Sequence, residues 1–490
     1  MNILTLVFVT DYFKCAFRAL YRVVFNVFLH PLSIFPGPKH LAACGFFHSY
    51  NNQLKVEWYK YMLKVHDKYG PIVRVGPDHL AVDGSIGWSE VFGHKRADRQ
   101  EFGRYPGFYS PGKDDPIYLF SADRTGHRRQ RRLLSHAFSD ASMYEQEALI
   151  TTHINLLIFR LHTFAERNEP LDAVQWYSFA TFDIIGDLAF GESFGCLENN
   201  DLHPWVANMF NTVKAALMIQ FLNQYPLLRP FGRVLGKKLL AQRKEHSEFA
   251  AGRAKQRLSL DPATNSRKDF VTYILRHNDE KGMSEGEIMG NLNKIIVAGS
   301  ETTATTLSAL TLTEEIRQTF SSEDQITMSS TAPLSYLHAC LQEGLRIYPP
   351  TAETPPRVSP GDFIAGKYVP QGTRISIYQW ASYHSARNFV KPSEFKPERW
   401  LPPTHPYHDP VFNHDNKDAF NAFSYGPRNC IGKNLAYAEL RLIMTRVLWN
   451  FDISLVDGYE SWTEHHKVFS IWQKTPLMVR LSRVARSEST

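Results

Sequence analysis

Phe423-Ser424-Tyr425-Gly426-Pro427-Arg428-Asn429-Cys430-Ile431-Gly432 is the stretch that decides how this chain is read. Tyr-Gly-Pro is a turn signal, and Gly432 opens onto an apolar-periodic run from Leu435 to Trp449. The spacing predicts a loop feeding a helix, with Cys430 just before the helix N-terminus. The unpaired N–H groups and the positive dipole end found there favour thiolate over thiol. Arg428, two residues away, pushes the same way. An anionic sulfur on a glycine-loosened loop suits a metal ligand or a nucleophile. The plainer alternative is a buried, inert cysteine.

The chain has 490 residues, enough for a large core. No Pro/Gly/Ser-rich linker, low-complexity tract or repeat divides residues 41–490, so one large, mostly helical domain is expected there. The net charge is a mild +6, and no dense Lys/Arg run is interleaved with aromatics, which argues against nucleic-acid binding. Cys15, Cys44, Cys196, Cys340 and Cys430 are odd in number, widely spaced and free of CxxC pairs. They form neither a disulfide framework nor a zinc site, and a reducing compartment is expected.

At the N-terminus, charges at Asp11, Lys14, Arg18 and Arg22 break the apolar run before it reaches the ~20 residues a membrane span needs. Lys14, Arg18, Arg22 and Asn26 recur every four residues, and Phe13, Phe17, Leu20, Val24 and Phe28 cover the other side. Residues 1–30 therefore read as a basic amphipathic helix suited to a membrane surface. Residues 31–40, with Pro36-Gly37-Pro38, read as a stiff hinge.

Further along, Leu54–Tyr69 reads as a helix, and Ile72–Gly76 with His79–Val82 as a β-hairpin. Pro106–Pro116 reads as a Gly/Pro-rich loop. His127 and Arg131, one helical turn apart in a strongly basic segment, present two donors on one face. The other arginines there are expected to face outward. Ala180–Phe190, closed by Gly191, reads as a core helix, and the Met/aromatic stretch Leu202–Leu228 is assigned no ligand. Ser284-x-x-Glu287 is a capping box opening a long helix. In its middle, Ala298-Gly-Ser-Glu-Thr-Thr303 is small and polar where a buried helix is normally apolar. A local distortion opening a polar notch is expected there, because Thr side chains bond back to the preceding turn and bend helices. Glu343 and Arg346 sit three apart on another helix that stops at Tyr348-Pro-Pro, and Pro397-Glu-Arg399 follows. Phe363–Val369 and Thr373–Tyr378 read as a hairpin.

The pattern Phe423-x-x-Gly-x-Arg-x-Cys-x-Gly432 arises by chance on the order of once in ten thousand chains. It resembles the haem-binding loop of the cytochrome P-450 family, and the upstream motifs follow in that family's order over about residues 30–485. The resemblance implies a mainly α fold with small β-sheets (α+β), haem b as cofactor, and Cys430 as the axial iron ligand. It implies that Phe423 shields the sulfur and that Gly426 and Gly432 let backbone approach the haem. It makes His127, Arg131, Arg357 and Arg428 the propionate partners. Thr302 and Glu301 become the hydroxyl and acid of the oxygen-activation site, and Glu343, Arg346 and Arg399 a buried structural ion cluster. Val468–Trp472 resembles the family's C-terminal hairpin, whose tip would enter the substrate pocket.

The wording resembles fungal members that hydroxylate or epoxidise secondary metabolites, such as trichothecene hydroxylases. It implies a monomeric monooxygenase on the endoplasmic reticulum membrane, facing the cytosol, with a small apolar substrate. NADPH would serve through a separate NADPH–cytochrome reductase. An isomerase or dehydratase using the same haem is the alternative, as is an inactive remnant. The remnant is suggested by the stretch near Thr311, which is shorter than in the family by roughly four helical turns.

Overall fold

The run after Gly432 forms one helix, Lys433–Asn450, in the computed structural model, which describes residues 3–96, 98–109, 116–225, 227–260, 267–308 and 314–485. The chain divides into two units, the first made of residues 1–108, 352–392 and 416–429 and the second of the remainder.

The first unit is built on a five-stranded sheet in the order Ile72–Gly76, His79–Val82, Arg374–Ser376, Arg357–Val358, Gly103–Arg104. The expected hairpin is present, with Ile72 opposite Val82, and its outer partner Arg374–Ser376 runs parallel to His79–Val82. This corrects one expectation. Thr373–Tyr378 does not pair with Phe363–Val369; instead Asp362–Ile364 and Lys367–Val369 close a tight hairpin on each other. The left-handed Ala365 and Gly366 make that turn, while Ile375 and Ile377 bury with Leu80 and Val82 in the larger sheet's core. The Leu54–Tyr69 helix is also broken. Val56 is buried in a left-handed conformation, and the regular helix is Trp58–Tyr69.

Ile3–Val24 is helical, and Phe13, Phe17, Leu20 and Phe28 are exposed. Among the described residues, no helix is long and apolar enough to cross a membrane. The Pro-Gly-Pro segment is fastened to the sheet through Arg74. Its amide donates to the Pro36 carbonyl at 2.8 Å, and its guanidinium donates to the carbonyls of Asn26 and Pro77, both at 2.6 Å.

The second unit is helical with short sheets at its margins. Ala173–Phe190 is buried almost throughout and ends where Gly191 takes φ 78°. The long helix Glu285–Leu307 packs along it, and Gly299 permits the approach: a Cβ there would lie 2.9 Å from Ile185 Cδ1. Lys467–Phe469 and Ile471–Gln473 form the C-terminal hairpin around a left-handed Ser470. The long helix stops at Leu307, and the next begins at Glu314. The expected shortening near Thr311 falls on 309–313, outside the described residues, as does 110–115 of the expected Pro106–Pro116 loop. The mainly α architecture with small sheets is as expected.

Candidate functional site

Cys430 lies three residues before the helix Lys433–Asn450. The residue is exposed, so a ligand can reach it. Protein nonetheless encloses enough of the sulfur that burial, the largest influence, raises the thiol above its ordinary range. A hydrogen bond from the Gly432 backbone and the charges of Arg131 and Lys433 pull the other way without overcoming it. The expected preference for thiolate is therefore not met by the protein alone: helix-end donors and cations are outweighed by desolvation. Gly432 keeps space beside the sulfur, since a Cβ there would come only within 4.0 Å of Sγ.

Arg131 stands on the helix Arg124–Ala137, whose N-terminus Asp123 caps by accepting from the Gly126 amide at 2.7 Å. His127 is 5% exposed and Arg131 half-buried, one turn apart as the spacing required. Arg128 and Arg132 face solvent, but Arg129 does not. Its guanidinium pairs with Glu287 at 2.5 Å, and Gln130 donates to the same carboxylate at 3.0 Å. Glu287 also closes the capping box with Ser284. One carboxylate thus ties the arginine-rich helix to the start of the long one.

The long helix carries a row of hydroxyls that each donate to the carbonyl four residues back. Ser300 bonds Ile296 at 2.7 Å, Thr302 bonds Ala298 at 2.7 Å, Thr303 bonds Gly299 at 2.9 Å and Thr305 bonds Glu301 at 2.8 Å. The helix remains α-helical throughout. The expected hydroxyl back-bonds are present alongside the backbone ladder, and Gly299 serves helix packing. Glu301 is 1% exposed, and burial pushes its carboxyl up against the opposing pull of Lys474. The Thr302 hydroxyl donates to Ala298 and not to Glu301, so the two neighbours in sequence are not bonded to each other.

Glu343, Arg346 and Arg399 come together as expected, all fully buried. Arg346 forks onto Glu343 at 2.9 and 2.7 Å, and Arg399 Nε donates to it at 3.1 Å. Three further partners were not foreseen. The Lys396 amide and Trp400 Nε1 each donate to Glu343 at 2.9 Å, and Asp415 takes the other side of Arg399. Asp415 carries no sequence signal, since it lies sixteen positions along the chain from Arg399. Burial would raise Glu343; the arginines and the amide together hold it below the usual carboxylate range.

In the first unit, Arg357 is buried on a sheet strand with its guanidinium 4.7 Å from the Phe92 ring centre. Gly426–Arg428 is a single 3₁₀ turn, and Phe423 and Arg428 are half-buried. Gly426 has φ 75°, and a Cβ on it would fall 2.1 Å from the Phe92 carbonyl oxygen. Its glycine is explained by that backbone contact.

A reachable thiol with a backbone partner, open space beside it and two neighbouring cations fits the axial ligand of a haem-thiolate enzyme. A family model described as Cytochrome P450 matches residues 35–480, and the chain belongs to the cytochrome P450 family of haem-thiolate monooxygenases. It is 40% identical over 478 residues to "Cytochrome P450 monooxygenase aclL" of Aspergillus oryzae (strain ATCC 42149 / RIB 40), covering 94% of this chain and 95% of that one. It is 39% identical over 486 residues to "Cytochrome P450 monooxygenase lcsI" of Purpureocillium lilacinum, covering 95% and 92%. It is 38% identical over 488 residues to "Trichothecene C-15 hydroxylase" of Fusarium sporotrichioides, covering 94% of each. Haem is the cofactor the family implies.

Proposed function

We propose that this protein inserts one oxygen atom of O2 into a small, largely apolar organic molecule, by hydroxylation or epoxidation, as a step in secondary-metabolite biosynthesis. The observation that carries the reading is Cys430, an exposed residue whose enclosed sulfur is supported by the Gly432 backbone and by Arg131 and Lys433. The relative named as a trichothecene C-15 hydroxylase supports hydroxylation as the reaction type.

Bound haem supplies the oxygen chemistry. In this reading Cys430 would hold it through the sulfur, which Gly432 leaves approachable. His127 and Arg131 hold propionates from one helical face. For Arg357, Arg428, Phe423 and Gly426, the roles rest on the sequence resemblance. Glu301 and the Thr302 hydroxyl hold and pass protons at the middle of the long helix. Glu343, Arg346 and Arg399 keep the core in register. Electrons come from NADPH through a separate NADPH–cytochrome reductase. Residues 1–30 lie on the endoplasmic reticulum membrane through their exposed aromatic side, residues 31–40 form the hinge, and residues 41–490 are the monomeric catalytic domain facing the cytosol.

The ferrous–carbon monoxide spectrum of the full chain tests this. A strongly red-shifted Soret band that disappears in Cys430→Ser is expected, and a wild-type spectrum without it would overturn the assignment. NADPH- and O2-dependent product formation with reductase then separates a monooxygenase from a haem isomerase.

A further inference from the structure

The C-terminal hairpin ends on Lys474, whose side chain is only 4% exposed. A lysine is almost never buried without a partner. Here Nζ lies 2.6 Å from Glu301 Oε1 and donates to Thr305 Oγ1 at 2.9 Å. Residues 301 and 305 share one face of the long helix, so a single ammonium grips it at two successive turns. The hairpin that delivers the ammonium is itself anchored. Trp472 Nε1 donates to the Pro349 carbonyl at 2.6 Å, and its ring stacks on Tyr348 with centroids 4.5 Å apart.

The contact with Glu301 is close in distance but not aligned as a hydrogen bond. Neither carboxylate oxygen has a well-oriented donor among the described residues. Glu301 is therefore held by charge at Oε1, while Oε2 keeps its lone pairs. A buried carboxylate normally fills that capacity with protein donors, as Glu343 does.

We propose that Lys474 is a positioning residue for Glu301, fixing the carboxylate through Oε1 and leaving Oε2 to hold a water next to Thr302. This rests on the reading of Glu301 as a proton-handling residue. A purely structural ion pair would stabilise the hairpin without affecting how protons reach the site.

The test uses the haem-loaded full chain with Lys474→Met, Lys474→Arg, Glu301→Gln and the double variant Lys474→Met/Glu301→Gln. Difference infrared spectra identify the Glu301 protonated-carboxyl band by its loss in Glu301→Gln. That band is expected to grow in Lys474→Met and to match wild type in Lys474→Arg. With reductase and no added substrate, the fraction of NADPH electrons leaving as hydrogen peroxide is expected to rise several-fold in Lys474→Met and to return toward wild type in Lys474→Arg. An unchanged band and unchanged peroxide fraction in Lys474→Met overturn the proposal. If Glu301→Gln shifts the peroxide fraction while Lys474→Met does not, Lys474 alone is misread. If Glu301→Gln does not shift it, the reading of Glu301 fails and takes the proposal with it. Should Lys474→Met lose haem, recovery in the double variant supports the pair, and no recovery overturns it.

Discussion

Thr303 on the long helix, whose hydroxyl donates to the Gly299 carbonyl at 2.9 Å, also interacts with the carboxyl of Glu439 on the helix after Cys430 and pulls that carboxyl down. Burial is the larger influence and pushes Glu439 up to about 8. In the unfolded chain the group releases its proton near 4.5, whereas the folded protein keeps it until about 8. Between those values the native state binds the extra proton, so stability falls as pH rises, by an amount on the order of a few kcal/mol. Above about pH 8 the loss is complete. Glu439→Gln keeps a donor and removes the titration, so its thermal midpoint should fall less than that of wild type between pH 5 and pH 8. Parallel profiles for the two proteins would refute the protonated state.

Glu343 is the acceptor on which Arg346, Arg399, Trp400 and the Lys396 amide converge. Glu343→Ala leaves two buried guanidinium groups facing an absent anion. The expected cost is about 3–5 kcal/mol in chemical denaturation, with low haem content after expression. Arg399→Lys is also expected to destabilise, because an ammonium cannot span Glu343 and Asp415 as the planar fork does. Denaturation midpoints equal to wild type would show that the cluster is dispensable.

Gly426→Ala combines two penalties. A left-handed backbone costs a non-glycine residue about 1–2 kcal/mol, and the new Cβ would meet the Phe92 carbonyl oxygen at 2.1 Å. Backbone cannot yield as a side-chain tip does, so the loop must move. By contrast, Gly299→Ala meets only the end of Ile185 at 2.9 Å, which can rotate aside. Gly426→Ala should therefore lose far more folded, haem-loaded protein than Gly299→Ala, as judged by soluble yield and Soret absorbance.

The fold class and several side-chain pairings could be read from the sequence because they rest on local spacing. The capping box at Ser284 and Glu287, the one-turn offset of His127 and Arg131, and the Glu343/Arg346 pair are all helical geometry. What escaped depends on contacts distant in the chain. Lys474 reaches Glu301 across more than 170 residues, and Glu439 meets Thr303 across more than 130. The strand Arg374–Ser376 joins one sheet over another by shared burial, which local alternation does not encode. The polar run at 298–303 could be read as hydroxyls bonding back to the preceding turn, and those back-bonds coexist with an α-helical ladder.

Arg129, expected on the outer face of its helix, is a brace to Glu287. The guanidinium is the main influence on that carboxyl and holds it at about 2, well below its ordinary 4.5. The folded value is the lower one, so the contribution is present above about pH 4.5 and lost as pH falls toward 2. Arg129→Met should lower the thermal midpoint at pH 7 and flatten its decline between pH 5 and pH 3. An unaltered acid profile would show that the pair is energetically neutral.

Thr302 separates two uses of a helix hydroxyl. Its back-bond to Ala298 at 2.7 Å is structural and local. Such bonds contribute little to helix stability, so Thr302→Ala should shift the thermal midpoint by no more than about 0.5 kcal/mol equivalent. The proposed reaction also requires a proton-bearing hydroxyl beside Glu301, and Thr302→Ala removes it. With reductase and NADPH, this variant should release at least about tenfold more peroxide per product formed, while Thr302→Ser, which keeps the hydroxyl, stays near wild type. Equal peroxide release in the alanine and serine variants would leave Thr302 with only the back-bond, and the proton path would have to be sought elsewhere on the long helix.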